Sequence, residues 1–115
     1  MSEPAASHFA IEIDRAPGVA IVRCRGKLVA GFTELLYVEV RQLMPGTKRI
    51  VLDLTNLTHM DSMGLGTVVR LYVSAKSAGC ALELINLGKG IRQIFAVTNL
   101  LSVFTIVGEH NIRMP

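Results

Sequence analysis

The residues of this chain best placed to do chemistry are Asp61 and Ser62, which stand directly before a run with apolar residues at helical spacing. Serine is favoured at a helix N-cap, because its hydroxyl oxygen accepts from free backbone N–H groups of the first turn. The same N–H groups and the helix dipole favour negative charge, so a phosphate on Ser62 would be accommodated there, although Asp61 would repel it. Ser62 is therefore either a phosphate acceptor or only a cap.

Gly64 and Gly66 fall in the first turn of this predicted helix. Glycine costs about 1 kcal/mol relative to alanine inside a helix, so the pair needs a reason. One explanation is a partner that approaches the backbone closely at this end. The other is tight packing of the helix against a sheet. The sequence leaves both open.

An enzymatic interpretation would make Ser62 a nucleophile, with His59 as base and Asp61 as orienting acid. A triad is defined by its arrangement in space, and three residues so close in sequence do not form one easily. Gly88-Lys89-Gly90 lacks the remaining residues of a phosphate-binding P-loop. The histidines and cysteines also lack the spacing of a metal site. We therefore expect neither an enzyme nor a cofactor.

The spacing of apolar residues along the sequence predicts the strand and the helix that would position Ser62. Ile50, Leu52 and Leu54, with Val51 between them, predict a strand buried on both faces. A polar connector over residues 55–61 and a helix from Ser62 to the Ala78-Gly79 turn should follow. Ser62 would then lie at the carboxyl end of a central strand, where open α/β sheets usually place their functional sites.

The rest of the chain predicts one α/β domain with a mixed sheet covered by helices, in the order β-β-α-β-α-β-α-β. Residues 1–7 are expected to form a flexible tail and residues 8–111 the domain. The remaining segments are a hairpin of strands from Phe9 and Val19 around Pro17-Gly18, a helix from Phe32 to Leu43, a strand over 81–85, a short helix from Ile91 that ends at Asn99, and a last strand over 103–107.

Composition narrows the class of protein. Half of the 115 residues are apolar and the formal net charge is +3, which is typical of a globular chain. Arg23, Arg25 and Lys27 alternate on one strand, where a solvated face is a better explanation than a nucleic-acid site. Cys24 and Cys80 have the character of free thiols in a reducing compartment. Without a secretory signal or about 18 consecutive apolar residues, a cytoplasmic location without membrane insertion is expected.

The segment Met60-Asp61-Ser62-Met63-Gly64-Leu65-Gly66, placed between a strand and a helix, resembles the signature of the STAS domains of bacterial anti-sigma factor antagonists. The resemblance covers nearly the whole chain. It includes Gly26 and Leu28 at the end of the second strand, the Ala78-Gly79 turn, the segment 91–95 and the downstream Asn99-Leu100.

The resemblance implies a partner switch. In this family the serine after the aspartate is phosphorylated by an anti-sigma factor that is also a serine kinase. The unphosphorylated antagonist binds that kinase and frees the sigma factor, and phosphorylation releases it; a phosphatase would reset Ser62. The implied partner-binding residues are Asp61, Ser62, Met63, Gly64, Leu65, Gly66, Lys27 and Val29.

Two of these residues depart from the family pattern. Antagonists usually carry an acidic Glu-x-Asp after the glycine that ends the second strand, and the matching positions here are Lys27 and Val29. The change favours a second hypothesis, in which the chain is a constitutive STAS subunit of another assembly, such as a lipid-transport ABC ATPase complex. Ser62 would not need to be phosphorylated there.

Overall fold

The computed structural model of the chain describes residues 8–98 and 105–107, which contain five strands and three helices. Their order confirms the predicted β-β-α-β-α-β-α-β. The tail at 1–7, the helix end at Asn99 and the start of the last strand at 103 and 104 lie outside the described residues. The elements are β1 (Phe9–Ala16), β2 (Val19–Leu28), α1 (Glu34–Leu43), β3 (Arg49–Met60), α2 (Ser62–Ser77), β4 (Ala81–Ile85), α3 (Lys89–Val97) and β5 (Thr105–Val107).

The strands form one mixed sheet in which sequence order is also spatial order. β1 and β2 are the predicted antiparallel hairpin, and β2, β3, β4 and β5 are mutually parallel. Each helical crossover therefore steps in the same direction along the sheet. Right-handed crossovers of this kind place α1, α2 and α3 on the same face.

The core lies between that face and the helices. Its register aligns Val22 with Leu52 and Leu52 with Leu84, and all three side chains are fully buried. The opposite face is largely polar, although Val51 on it is also buried, as the strand pattern predicted. Arg23 lies there between Asp14 and Asp53.

β3 continues through the segment that we predicted to be a polar connector, and that prediction was wrong. Leu54, Leu57 and Met60 are three residues apart, yet all are buried. The register of β3 against β2 shifts twice, and each shift adds one residue to β3. A bulge of this kind turns the next apolar side chain back to the same face. Two bulges thus convert the expected period of two into a period of three.

Candidate functional site

Asp61, not Ser62, caps α2. The backbone of Asp61 is extended (φ −108°, ψ −172°), and its Oδ1 accepts from the Gly64 N–H at 2.9 Å. The prediction that Ser62 is the N-cap was therefore wrong. A carboxylate is the stronger acceptor for these N–H groups, since charge-assisted hydrogen bonds are stronger than neutral ones. Ser62 becomes the first helical residue, and it is exposed.

The second carboxylate oxygen of Asp61 ties α2 to the end of β2. Oδ2 accepts from the Ala30 N–H at 2.9 Å, and the Asp61 N–H donates to the Leu28 carbonyl at 3.4 Å. The hydrogen bond from Ala30 and then that from Gly64 lower the pKa of Asp61 below its usual value. The residue beside Ser62 is therefore a carboxylate that is held in place and ionised at neutral pH.

The two glycines near the start of α2, Gly64 and Gly66, have different surroundings. A Cβ at Gly64 would overlap the Leu28 carbonyl oxygen, with the carbonyl carbon at 3.0 Å and Leu28 Cγ at 3.1 Å. A Cβ at Gly66 would have nothing within 4 Å. Packing against the end of β2 thus accounts for Gly64, whereas Gly66 leaves an open surface on α2.

The apolar residues around Ser62 divide between core and surface. Met63 is 58% exposed, whereas Met60 and Leu65 belong to the hydrophobic core, with Leu65 only 8% exposed. Met63 is therefore the apolar side chain at this end of α2 that a partner can contact. Leu65, which the resemblance assigned to partner binding, packs in the core beneath this surface.

Lys27 and Val29 lie at the edge of the same site. Lys27 is exposed and is paired with His59 in the β2–β3 ladder, one position before the Leu28–Met60 pair. Val29 is half-buried and precedes Ala30, which donates to Asp61. The structure thus brings together the end of β2 and the start of α2, as the motif predicted, with a basic residue at the rim.

The residues of the enzymatic interpretation are engaged elsewhere. His59 Nδ1 lies 2.8 Å from Thr58 Oγ1, and the Asp61 carboxylate accepts from backbone N–H groups. No hydrogen bond in the described part of the chain joins Ser62, His59 and Asp61 into a relay. Residues 8–98 and 105–107 contain no group of three His, Cys, Asp or Glu placed to hold a metal. No helix among them is long and apolar enough to cross a membrane.

A stack of three side chains between α1 and α2 is a feature that the sequence analysis missed. Arg70 Cζ lies 4.1 Å from the centre of the Tyr37 ring, and Arg41 Cζ lies 5.5 Å from it. Arg41 Nη1 also donates to the Tyr37 hydroxyl at 2.7 Å, and this hydrogen bond is the main reason why the pKa of Tyr37 is lowered. The spacing of Tyr37 and Arg41 indicates their contact, but nothing in the sequence points to Arg70.

The chain belongs to the STAS domain family, whose model matches residues 10–111. BtrV of Bordetella bronchiseptica is 28% identical over 100 residues, 86% of each protein. An anti-sigma F factor antagonist of Paenibacillus polymyxa is 26% identical over 98 residues, 84% of each. The fold matches the anti-sigma factor antagonist SpoIIAA in its unphosphorylated form, with a TM-score of 0.74 at 18% identity over 88% of this chain and 90% of that one. SpoIIAA of Bacillus in its phosphorylated form gives a TM-score of 0.69 at 18% identity, over 88% and 94%.

Proposed function

We propose that this protein is an anti-sigma factor antagonist that acts by partner switching. Unphosphorylated, it binds an anti-sigma factor that is also a serine kinase; phosphorylated on Ser62, it releases that partner. The observation that carries the proposal is the division of roles between Asp61 and Ser62. Because Asp61 supplies the cap, the exposed Ser62 hydroxyl is free to be modified without loss of the first turn of α2.

The electrostatics of the site support release by phosphorylation. A phosphate adds about −1.5 to −2 charges at pH 7. It would stand next to the ionised Asp61 on a surface where Met63 is exposed and Gly66 is open. A partner that fits a neutral hydroxyl at this position would have to desolvate that charge, which is costly. The antagonist itself need not change its fold.

The relatives give independent support. The Paenibacillus relative is named an antagonist of an anti-sigma factor, and SpoIIAA is described in phosphorylated and unphosphorylated forms. Transferred to this chain, that role implies a bacterial phosphoprotein that regulates transcription through a protein partner in the cytoplasm. A phosphatase acting on phospho-Ser62 would complete the cycle.

The test is capture of partners from a lysate of the native host, with identification by mass spectrometry. Wild type and Ser62→Ala should retain a small ATPase of the kinase fold, and Ser62→Asp should not. Gln93→Glu adds a negative charge at an exposed position on α3 and should behave as wild type. Retention of the kinase by Ser62→Asp at the wild-type level would refute the switch.

One observation favours a second candidate function. Lys27 places a positive charge at the rim of the site, where the family pattern has an acid. A constitutive subunit of another assembly, such as a transporter ATPase, would tolerate this change, because its partner need not be the usual kinase. In the same capture experiment, a transporter ATPase retained equally by wild type and Ser62→Asp would support this function.

A further inference from the structure

A groove of about 680 Å³ lies between the C-terminal ends of α1 and α2, at the opposite end of α2 from Ser62. Val73 gives it apolar surface, because this large apolar side chain is 57% exposed, whereas Met44, which also lines the groove, is only 5% exposed. Ser74 and Ser77 add hydroxyl groups along its α2 side. The groove therefore combines an apolar contact with polar edges.

The charge around the groove is positive. Arg41 and Lys48 line it, and none of the lining residues is acidic. Arg70 lies on α2 about one turn before Val73, nearer to Ser62. It is stacked on Tyr37, whose hydroxyl accepts a hydrogen bond from Arg41. Arg41 and Arg70 are thus held in place before any partner binds, which reduces the side-chain conformational entropy that is lost on binding.

The groups that oppose this charge are weaker or farther away. Helix C-termini carry partial negative charge, but the Arg41 carbonyl accepts from Met44 and the Ser74 carbonyl from Ala78. On α1, Glu34 lies seven residues before Arg41, about 10 Å along the helix axis at 1.5 Å per residue. Glu39 is two positions before Arg41, so the two side chains lie on nearly opposite faces of α1.

The groove is continuous with the surface around Ser62. Met63, Gly66, Arg70 and Val73 follow each other at spacings of three and four, so they share one face of α2. Val73 is eleven positions after Ser62, which corresponds to about 17 Å along the helix. An interface of standard size covers about 800 Å² on each partner, roughly 30 Å across. A single partner can therefore cover both ends of α2.

We propose that this groove docks a segment of the partner protein that carries acidic residues around one large apolar anchor. The anchor would lie against Val73, and the acids would pair with Arg41, Lys48 and Arg70. The inference rests on the proposed function, because it describes the same partner. It assigns that partner an acidic docking segment, in keeping with the net charge of +3 on this chain.

The first experiment tests the surface without the partner. The ¹⁵N-labelled chain is titrated, with NMR detection, with a short synthetic peptide in which one phenylalanine is flanked by glutamates, and with the same peptide carrying lysines instead. The acidic peptide should give saturable shifts at Thr47, Val73, Ser74 and Ser77, and the lysine peptide none. Absence of saturable shifts, or equal shifts with both peptides, would overturn the proposal.

Matched variants locate the binding. Val73→Glu and Arg41→Glu should weaken the acidic peptide about tenfold. Val97→Glu and Lys89→Glu make the same changes of charge at exposed positions on α3 and should have no effect. An equal loss with the α3 variants would mean nonspecific charge attraction. A dimer in sedimentation that Val73→Glu abolishes would assign the groove to a second copy of the chain, which also overturns the proposal.

The second experiment separates this inference from the proposed function. The kinase captured with wild type is purified, and its affinity is measured for Ser62→Asp and for Val73→Glu. Loss with both supports both ideas. Loss of affinity with Ser62→Asp alone supports the switch and overturns the docking groove. Loss of affinity with Val73→Glu alone supports the docking groove and overturns the switch. If wild type captures no protein, the switch fails and the peptide titration decides about the groove.

Discussion

Alanine substitutions at Gly64 and Gly66 should have opposite effects on stability, because the two positions have different surroundings on the same helical turn. A methyl group at Gly64 would overlap the Leu28 carbonyl oxygen. The overlap cannot be relieved by rotating a side chain, since the carbonyl group of Leu28 is backbone and the Asp61–Ala30 hydrogen bond holds the two segments together. Overpacking of this kind costs about 1–3 kcal/mol, and more where backbone must move.

The gain in helix propensity from glycine to alanine is about 1 kcal/mol and offsets part of that cost at Gly64. We expect Gly64→Ala to lose about 2 kcal/mol of unfolding free energy, a large share of the 5–15 kcal/mol of a typical domain. At Gly66 nothing opposes the added methyl group, so Gly66→Ala should gain about 0.5–1 kcal/mol.

The assay is urea denaturation of wild type and the two variants, followed by circular dichroism at one temperature. The slope of free energy against urea should be unchanged, so that differences in the midpoint report stability. In thermal melts, 1 kcal/mol corresponds to about 4 °C for a domain of this size, and Gly64→Ala should melt about 8 °C lower. A Gly64→Ala variant as stable as wild type would refute the packing account of this glycine.

Three further predictions concern the same end of α2. Gly66→Arg should abolish capture of the kinase while the urea midpoint stays near the wild-type value; an unfolded variant would mean that Gly66 is needed for packing after all. Asp61→Asn should be less stable than wild type at pH 7 and close to it at low pH. Because the pKa of Asp61 is lowered in the folded protein, its charged form contributes stability above the unfolded-state pKa, and this contribution is lost as the pH falls through the folded-state pKa. A difference in stability that does not depend on pH would contradict the role of the charge. Hydrolysis of generic esters should be the same for wild type and Ser62→Ala, because Ser62 is proposed to bind and not to catalyse; a loss of activity confined to Ser62→Ala would revive the enzymatic interpretation.

The class of fold was predictable because the spacing of apolar residues changes from one element to the next, from alternation in the strands to spacings of three and four in the helices. The length of β3 was not. Beyond Leu54 the apolar residues recur every third position, which fits neither a regular strand nor a helix, and a loop was the natural prediction. The bulges that explain this spacing depend on pairing with β2, and pairing is a property of the folded chain.

Details of the site also depend on contacts that form only in the folded chain. Aspartate and serine are both good caps, so the sequence Asp61-Ser62 cannot say which of them begins the helix. The choice is made by Ala30, which binds the second carboxylate oxygen from the end of β2. The roles of Gly64 and Gly66 were likewise left open, because the overlap with Leu28 is a contact between distant parts of the chain. The position of the site at the end of the central strand followed from the topology alone.

The two ends of α2 should act independently on a partner. A phosphate on Ser62 lies about 12 Å along the helix from Arg70, the groove cation nearest to it on α2, and the Debye length at physiological salt is about 8 Å. Two unit charges at that separation in water interact by about 0.35 kcal/mol even before screening. Phosphorylation therefore cannot release a segment bound in the groove through its field, and it must act on contacts at Ser62 itself. The acidic peptide should accordingly bind Ser62→Asp as well as it binds wild type in the NMR titration. A clear loss of peptide affinity in Ser62→Asp would show instead that α2 transmits the change along its length.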